Sequence, residues 1–156
     1  MEIIEVATGI KNTVIIREAE SEDFRLLTQK RFSFNWKTFK NTTTVYKLQQ
    51  IEGADDILGV MGLIDWPEEK RIEIKLLASS VENIGKEKIY EGIAGCLIAF
   101  ACRSGVEKYG ADACVSLVPK TELIRYYTEK YHMQHAGWQL YLEGKELYKL
   151  IKEYFL

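Results

Sequence analysis

The chain has 156 residues, of which 47% are hydrophobic and 28% charged, and its formal net charge is −2. These values are typical of one globular domain and exclude a disordered, collagen-like or low-complexity chain. The small net charge argues against a general nucleic-acid-binding protein, and no apolar run is long enough to span a membrane. Glu2 and Glu5 stand where a signal peptide has positive charge, so we expect a cytoplasmic protein. From the length we expect a single domain over residues 1–156.

The first half of the chain predicts one helix among several strands. Ser21, followed by two acidic residues, is a helix N-cap signal. Residues 52–56 are typical of a hairpin loop between two strands. The predicted elements are a strand over residues 13–19, a helix over 22–33, and strands over 42–49, 57–64 and 71–78.

The second half predicts alternating helices and strands. These are a helix over about 89–108, a strand over 112–118, a helix over 122–131, a strand over 139–142 and a helix over 145–154. The crossover from strand 71–78 through a helix to strand 112–118 requires a parallel pair if both strands lie in one sheet. The order of elements is typical of an α/β fold.

The cysteines and histidines indicate no metal site. Cys96, Cys102 and Cys114 are odd in number, lie in apolar surroundings and form no CxxC pair, so we expect reduced, buried thiols. His132 and His135 follow a predicted helix and have no companion carboxylate. We expect them to be exposed loop imidazoles.

Residues 71–101 carry the clearest functional signal. Gly92 and Gly95 lie in the first turns of a predicted helix, where each glycine costs about 1 kcal/mol relative to alanine. They indicate a close approach of the backbone, either to the sheet or to a ligand. A helix N-terminus that follows a strand can bind an anion, and Lys86 and Lys88 precede this one. Tight helix–sheet packing with solvated lysines is the alternative. The GxxxxGK[ST] phosphate loop is absent.

Residues 89–98, IYEGIAGCLI, resemble the acetyl-CoA signature [Q/R]-x-x-G-x-[G/A] of the GNAT superfamily of N-acetyltransferases. Gly92 and Ala94 occupy the small-residue positions of that signature. Ile89 stands where the family has Gln or Arg.

Three other segments resemble GNAT motifs in the same order along the chain. Residues 14–23 resemble the opening motif IRxAxxxD, and residues 57–63 resemble the third strand of the family. Residues 127–133 resemble its FYEKLGF segment, with Thr128 at the usual tyrosine position.

The resemblance implies a binding site for acetyl-CoA where the fourth strand, residues 71–78, diverges from the fifth, residues 112–118. The pantetheine arm would pair with the backbone of the fourth strand, and the pyrophosphate would rest on N–H groups before and at the start of the following helix. A lysine would replace the missing Gln or Arg. The implied donor-binding residues are Leu76, Leu77, Ala78, Gly85, Lys86, Lys88, Gly92, Ile93 and Ala94.

The resemblance also implies direct attack of an amine on the thioester, without a covalent enzyme intermediate. Glu73 is the candidate base; its alternative role is a cross-strand partner for Lys75 or Arg71. Asp65 is a second candidate base. A shift of one residue in the FYEKLGF alignment would place Tyr127 at the tyrosine position, so Tyr127 is the candidate acid that protonates the leaving thiolate. Its alternative role is a core aromatic on an amphipathic helix.

We therefore predict the GNAT-like α/β fold, with a mixed, mostly antiparallel, splayed sheet and helices on both faces. The predicted function is transfer of acetyl from acetyl-CoA to a primary amine of a small molecule or peptide, without a metal and without a membrane or general nucleic-acid partner. The alternative is a non-catalytic protein of this fold that binds CoA, an acyl-CoA or a protein, as Ile89 suggests. C-terminal aromatic residues such as Trp138 and Tyr148 suggest a homodimer as a further possibility.

Overall fold

The computed structural model describes residues 1–52 and 55–155, which form a mixed α/β structure. The strands are β1 (Glu2–Glu5), β2 (Lys11–Glu18), β3 (Thr44–Gln50), β4 (Ile57–Trp66), β5 (Arg71–Ser79), β6 (Tyr90–Glu91), β7 (Cys114–Leu117), β8 (Gln134–Ala136) and β9 (Gln139–Glu143). The helices are α1 (Gln29–Phe32), α2 (Ile93–Tyr109), α3 (Ile124–Lys130) and α4 (Gly144–Phe155). The sheet order is β6-β1-β2-β3-β4-β5-β7-β9-β8.

Strands β5 and β7 are neighbours in the sheet and run parallel. β5 pairs in parallel with β7, from Arg71 opposite Cys114 to Ile74 opposite Leu117, which confirms the predicted parallel crossover through α2. The neighbouring pair of β7 and β9 is antiparallel, as are the pairs of β1 with β2 and β6 and of β2 with β3. Leu117 is the last residue of β7, whereas β5 continues over residues 75–79.

The chain divides into two compact units. One unit contains Met1–Gly62 and Leu76–Leu97, and the other contains Leu63–Lys75 and Ile98–Leu156. β4, β5 and α2 each begin in one unit and end in the other. The organisation of the chain as a single domain stays a prediction.

The core of the first unit is rich in aromatic residues. Its members are Phe24, Leu27, Phe32, Trp36, Val45, Ile57, Val60 and Ala78. The indole N–H of Trp36 donates a hydrogen bond of 3.2 Å to the Phe32 carbonyl, so this buried polar group is satisfied. Leu76 of β5 packs against the same cluster.

The predicted helix over residues 22–33 is wrong, because side-chain caps divide that segment. The Glu20 N–H donates to the Asp23 carboxylate at 2.7 Å, which caps a short 3-10 turn over Ser21–Arg25. The hydroxyl of Thr28 then accepts from the Arg31 N–H at 3.3 Å and begins α1.

The predicted start of the long helix near residue 89 is also wrong. Tyr90 and Glu91 instead form β6, which pairs with β1. Gly92 has φ +101° and separates this strand from α2. The remaining predicted helices and strands agree with the structure to within about two residues at each end, and β1, β6 and β8 were not predicted.

The predicted hairpin loop is described only in part, and the described helices were searched for a membrane span. Of the predicted hairpin loop over residues 52–56, Gly53 and Ala54 lie outside the described residues. Among the helices in the described ranges, none is both long and apolar enough to cross a membrane.

Two glycines provide opposite tests of the packing between α2 and the strands. A Cβ at Gly59 of β4 would lie 2.6 Å from Cγ2 of Ile93, a stiff β-branched side chain in a helix. We expect Gly59→Ala to lower the free energy of unfolding by about 1–3 kcal/mol. A Cβ at Gly105 of α2 meets its nearest atoms at 3.5 Å, an ordinary contact distance. Gly105→Ala should therefore raise stability by up to about 1 kcal/mol through helix propensity.

Urea unfolding of both variants measures this difference. A Gly59→Ala protein as stable as the wild type would contradict the close approach between β4 and α2.

Candidate functional site

The carboxyl-terminal part of β5 extends beyond its partner strand. The parallel ladder ends at Ile74, so it leaves the backbone of residues 75–79 without a partner from β7. Ala78 is buried, and Leu76 and Leu77 are half-buried. A strand edge of this kind offers N–H and C=O groups to another extended chain.

Asn83 organises the loop over residues 80–92, which joins β5 to α2. Its side chain is buried, with 6% exposed. Its Nδ2 donates to the Ser80 hydroxyl at 2.8 Å, and its Oδ1 accepts from the Tyr90 N–H at 2.9 Å. The Ser80 N–H in turn donates to the Leu58 carbonyl at 2.9 Å. Asn83 therefore links two parts of the loop that are seven residues apart in sequence. A lone Asn has no periodic signal, so the sequence does not predict this role.

An ion pair holds the same loop at Glu82. Arg31 Nη2 of α1 lies 3.0 Å from Glu82 Oε1, and both side chains are partly buried. Partial burial acts to raise the pKa of Glu82, but hydrogen bonds from its own backbone N–H, from Arg31 and from Ser80 outweigh it, so the pKa is lowered. The Glu82 carboxylate therefore stays ionised, and the ion pair persists at neutral pH.

The N-terminus of α2 presents free backbone donors. The Cys96 N–H donates to the Gly92 carbonyl at 3.0 Å, so the N–H groups of Ile93, Ala94 and Gly95 precede the first bond of the helix. No acidic residue lies in the first turn. The side chain of Ile93 is buried against β4, so this residue offers only its backbone.

The two lysines of the loop differ in their surroundings. Lys88 Nζ lies 3.3 Å from Glu91 Oε1. Lys86 is exposed and forms no ion pair within the described part of the chain. Gly85 beside it has φ +83° and open space around the position of a Cβ. Of the two lysines predicted to bind the pyrophosphate, only Lys88 has an acidic partner in the described residues.

A pocket of about 190 Å³ lies beside this loop. Its lining includes Gln50, Leu58, Asn83 and Tyr90, with Asp56 and Glu82 as two carboxylates. Two carboxylates repel phosphate. The anion-binding features of this unit are therefore those at the start of α2 and not this pocket.

Glu73, the candidate base, is held by neighbours in its own unit. Its Oε1 accepts from the Trp66 Nε1–H at 2.9 Å and lies 3.8 Å from Arg71 Nη1. Its side chain is 17% exposed. Lys75 is exposed and makes no bond to Glu73 in the described residues, so of the alternative partners only Arg71 approaches it.

Asp65, the second candidate base, is committed to two partners. Lys108 Nζ donates to it at 2.8 Å, and the Tyr109 hydroxyl donates a short hydrogen bond. Burial acts to raise the pKa of Asp65, but these two hydrogen bonds prevail and lower it. The same bond raises the pKa of Tyr109 to about 12. A carboxylate stabilised in this way is a poor proton acceptor.

Tyr127, the candidate acid, lies half-buried in α3. Its ring centroid is 5.7 Å from that of Tyr126 and 6.0 Å from that of Tyr131. Burial, and then the proximity of Tyr126, raise the pKa of Tyr127. The hydroxyl therefore stays protonated at neutral pH, as an acid must be. Within the described residues, no hydrogen bond joins Tyr127 to Glu73.

The thiols are unsuited to nucleophilic catalysis. Burial raises the pKa of Cys96 to about 11, although the terminal amino group opposes the shift. Burial also raises the pKa of Cys102 and of Cys114. All three cysteines are free; Cys96 and Cys102 are buried as predicted, whereas Cys114 is only half-buried.

The histidines are exposed, as predicted, but His135 lies in β8 and not in a loop. Across residues 1–52 and 55–155, no group of three or more His, Cys, Asp and Glu side chains is arranged to hold a metal ion.

The fold is shared with known N-acetyltransferases. A chimera of the spermidine N-acetyltransferase SpeG from Vibrio cholerae with hSSAT has a TM-score of 0.61 and 14% identity, over 88% of this chain and 98% of that chain. An N-acetyltransferase from Staphylococcus aureus has a TM-score of 0.54 and 17% identity, over 84% and 98% of the two chains. N-acetylglutamate synthase from Neisseria gonorrhoeae, solved with coenzyme A and N-acetyl-glutamate, has a TM-score of 0.58 and 19% identity, over 83% of this chain and 30% of that chain.

These similarities show that the chain has the GNAT fold, which confirms the predicted fold class and the resemblance on which it depended. No protein-family model and no curated protein matches the sequence.

The closure of loop 80–92 by Asn83 can be tested through stability. Asn83→Leu keeps the approximate volume but leaves the Tyr90 N–H without its acceptor and removes the donor to the Ser80 hydroxyl. We expect the free energy of unfolding to fall by about 1–3 kcal/mol. Asn41→Leu, at an exposed site, is the control and should change it by less than about 0.5 kcal/mol. Equal effects of the two substitutions in urea unfolding would contradict the role of Asn83.

Proposed function

We propose that this chain, built on the GNAT fold, is an N-acetyltransferase that transfers acetyl from acetyl-CoA to a primary amine. The main support is the end of the parallel ladder between β5 and β7, because β5 then continues with an edge that can pair with an extended ligand. The fold neighbours named above are N-acetyltransferases and an N-acetylglutamate synthase, and they support the same reaction class.

In this proposal the donor lies along β5 and ends at α2. The backbone of Leu76, Leu77 and Ala78 pairs with the pantetheine arm, which is itself extended and carries amide groups. The pyrophosphate rests on backbone N–H groups, where the positive end of the helix dipole favours an anion. The N–H groups belong to Gly85, Gly92, Ile93 and Ala94.

A lysine takes the place of the Gln or Arg that the GNAT signature has at the position of Ile89. Lys86 is better suited than Lys88, because its charge is not shared with Glu91. The reach of a lysine side chain from an exposed loop is sufficient for a solvent-facing phosphate. Lys88 contributes to the local positive potential, reduced by its ion pair.

The proposed reaction is a single aminolysis. The neutral amine attacks the thioester carbonyl carbon, so a C–N bond forms and the C–S bond breaks. A backbone N–H of β5 near Leu77 stabilises the oxyanion, a contribution of about 3 kcal/mol for one such donor. Glu73 accepts the amine proton, directly or through a water, and Tyr127 gives its hydroxyl proton to the leaving thiolate.

The alternative is a non-catalytic protein that binds CoA or an acyl-CoA. Ile89 in place of Gln or Arg favours this alternative. Both proposals place the donor at the same residues. They differ only in whether the thioester is consumed.

Donor binding is tested by thermal shift. At about 100 times its Kd, acetyl-CoA should stabilise the fold by about 2.7 kcal/mol, which is roughly 5–10 °C for a chain of this size. Ala94→Glu should abolish the shift, because a carboxylate in the first turn of α2 repels the pyrophosphate. Gly92 is a poorer position for this test, since φ +101° strains any side chain.

Ala94→Gln is the matched neutral control and should retain the shift. CoA should act like acetyl-CoA, and ATP should have a smaller effect. If neither CoA nor acetyl-CoA raises the melting temperature of the wild type, the transferase and the CoA-binding alternative both fail.

Catalysis is tested by release of free CoA thiol from acetyl-CoA in the presence of a panel of primary amines, including polyamines and peptides. Tyr127→Phe should lower kcat by about 100-fold with little change in KM, because it removes only the acidic proton. Tyr126→Phe, on the neighbouring and more exposed ring, should retain activity. A donor-induced thermal shift without thiol release over the whole panel would favour the non-catalytic alternative.

The acceptor stays open between a small-molecule amine and a peptide amine. A cytoplasmic location and a homodimer also stay predictions. Among the similar structures, a spermidine N-acetyltransferase from Vibrio cholerae is dodecameric, and that assembly is a property of that protein.

A further inference from the structure

Trp66 and Glu73 form a directed contact in the second unit. Trp66 is the last residue of β4, and its Nε1–H donates to Oε1 of Glu73 at 2.9 Å. The indole N–H can only donate, and an ionised carboxylate can only accept, so the direction of this bond is unambiguous. The Glu73 side chain is 17% exposed, which limits the competition of water for that oxygen.

Arg71 does not supply the same contact, because its donors are used elsewhere. Its Nε donates to Glu69 Oε2 at 2.8 Å, and its Nη1 donates to the Ser116 hydroxyl at 2.8 Å. Nη1 lies 3.8 Å from Glu73, beyond hydrogen-bond distance. The guanidinium carbon lies 5.3 Å from the centre of a Trp66 ring, so Arg71 supports the indole that holds Glu73.

The surroundings of Glu73 are otherwise simple. β4 presents Trp66 to it, and β7 presents Ser116, which is opposite Glu73 in the parallel register. Its own strand contributes Arg71, and the 3-10 turn before that strand contributes Glu69. Of these groups, only Arg71 and Glu69 are charged, and they are paired with each other at 2.6 Å. Oε2 of Glu73 accepts no hydrogen bond within the described parts of the chain.

We propose that Trp66 is a positioning residue for Glu73: it holds one carboxylate oxygen and leaves the other free to accept the proton of the attacking amine. This inference rests on the proposed function, in which Glu73 is the base. A hydrogen bond to one carboxylate oxygen restricts rotation of the carboxyl plane. A base whose free lone pairs are already oriented needs less rearrangement as the proton moves.

The kinetic test removes the indole N–H and keeps an aromatic ring over Arg71. In Trp66→Phe, kcat should fall about three- to tenfold, because the free oxygen of Glu73 is no longer held in one orientation. The KM for acetyl-CoA should not change, since the donor is bound by other residues.

Trp138→Phe is the matched control, because it makes the same chemical change at a side chain that is 80% exposed in a hairpin turn. Its kcat and its KM should equal those of the wild type. If Trp66→Phe lowers the melting temperature but leaves kcat unchanged, Trp66 has a structural role only and the inference is overturned.

A second measurement needs no activity. The indole N–H resonance of Trp66, assigned by its disappearance in Trp66→Phe, should move to higher field in Glu73→Ala, because the indole N–H loses its carboxylate acceptor. A resonance at the same position in Glu73→Ala overturns the inference. Failure of the proposed function has a different signature: the wild type consumes no acetyl-CoA with any amine, while the resonance still reports whether Trp66 donates to Glu73.

Discussion

The parallel ladder between β5 and β7 stops at the pair of Ile74 and Leu117, and the proposed donor site depends on that stop. Backbone N–H and C=O groups must be paired or hydrated, so a strand that continues past its neighbour presents an unpaired row of both. The proposed donor site therefore depends on the length of β7, because β7 ends at Leu117 and leaves the edge of residues 75–79 of β5 unpaired on that side. A longer β7 would satisfy those groups within the sheet and leave nothing for an extended ligand to pair with.

The segment after β5 is held in place by polar contacts of a few residues. Asn83 bonds to both ends of its loop, Glu82 is bound by Arg31, and Gly92 supplies the positive φ that turns β6 into α2. At the other side of α2, Gly59 lets the helix approach β4 within van der Waals contact. The N–H groups at the start of α2 therefore follow a segment that several polar contacts hold in place. Preorganised donors of this kind are what anion binding without large side-chain rearrangement requires.

The candidate catalytic groups illustrate how the surroundings of a residue decide what it can do. Glu73 and Asp65 are both carboxylates on neighbouring strands. Both oxygens of Asp65 accept hydrogen bonds, from Lys108 and Tyr109, whereas one oxygen of Glu73 has no protein partner in the described residues. Burial, and then the proximity of Tyr126, raise the pKa of Tyr127. The chemistry proposed for this protein follows from these differences and not from the residue types alone.

The sequence alone determined most of the main helices and strands, their order and the parallel crossover through α2, because hydrophobic periodicity is a local property of the chain. It did not determine the short strands β1, β6 and β8, whose few residues carry no periodic signal, or the division of residues 22–33, where side-chain caps override helix periodicity. It also could not reveal Asn83 or Trp66 as organising residues. Only the tertiary structure decided where the β5–β7 ladder ends and which donor each carboxylate receives, because hydrogen bonds depend on distances between atoms that chain connectivity leaves undetermined.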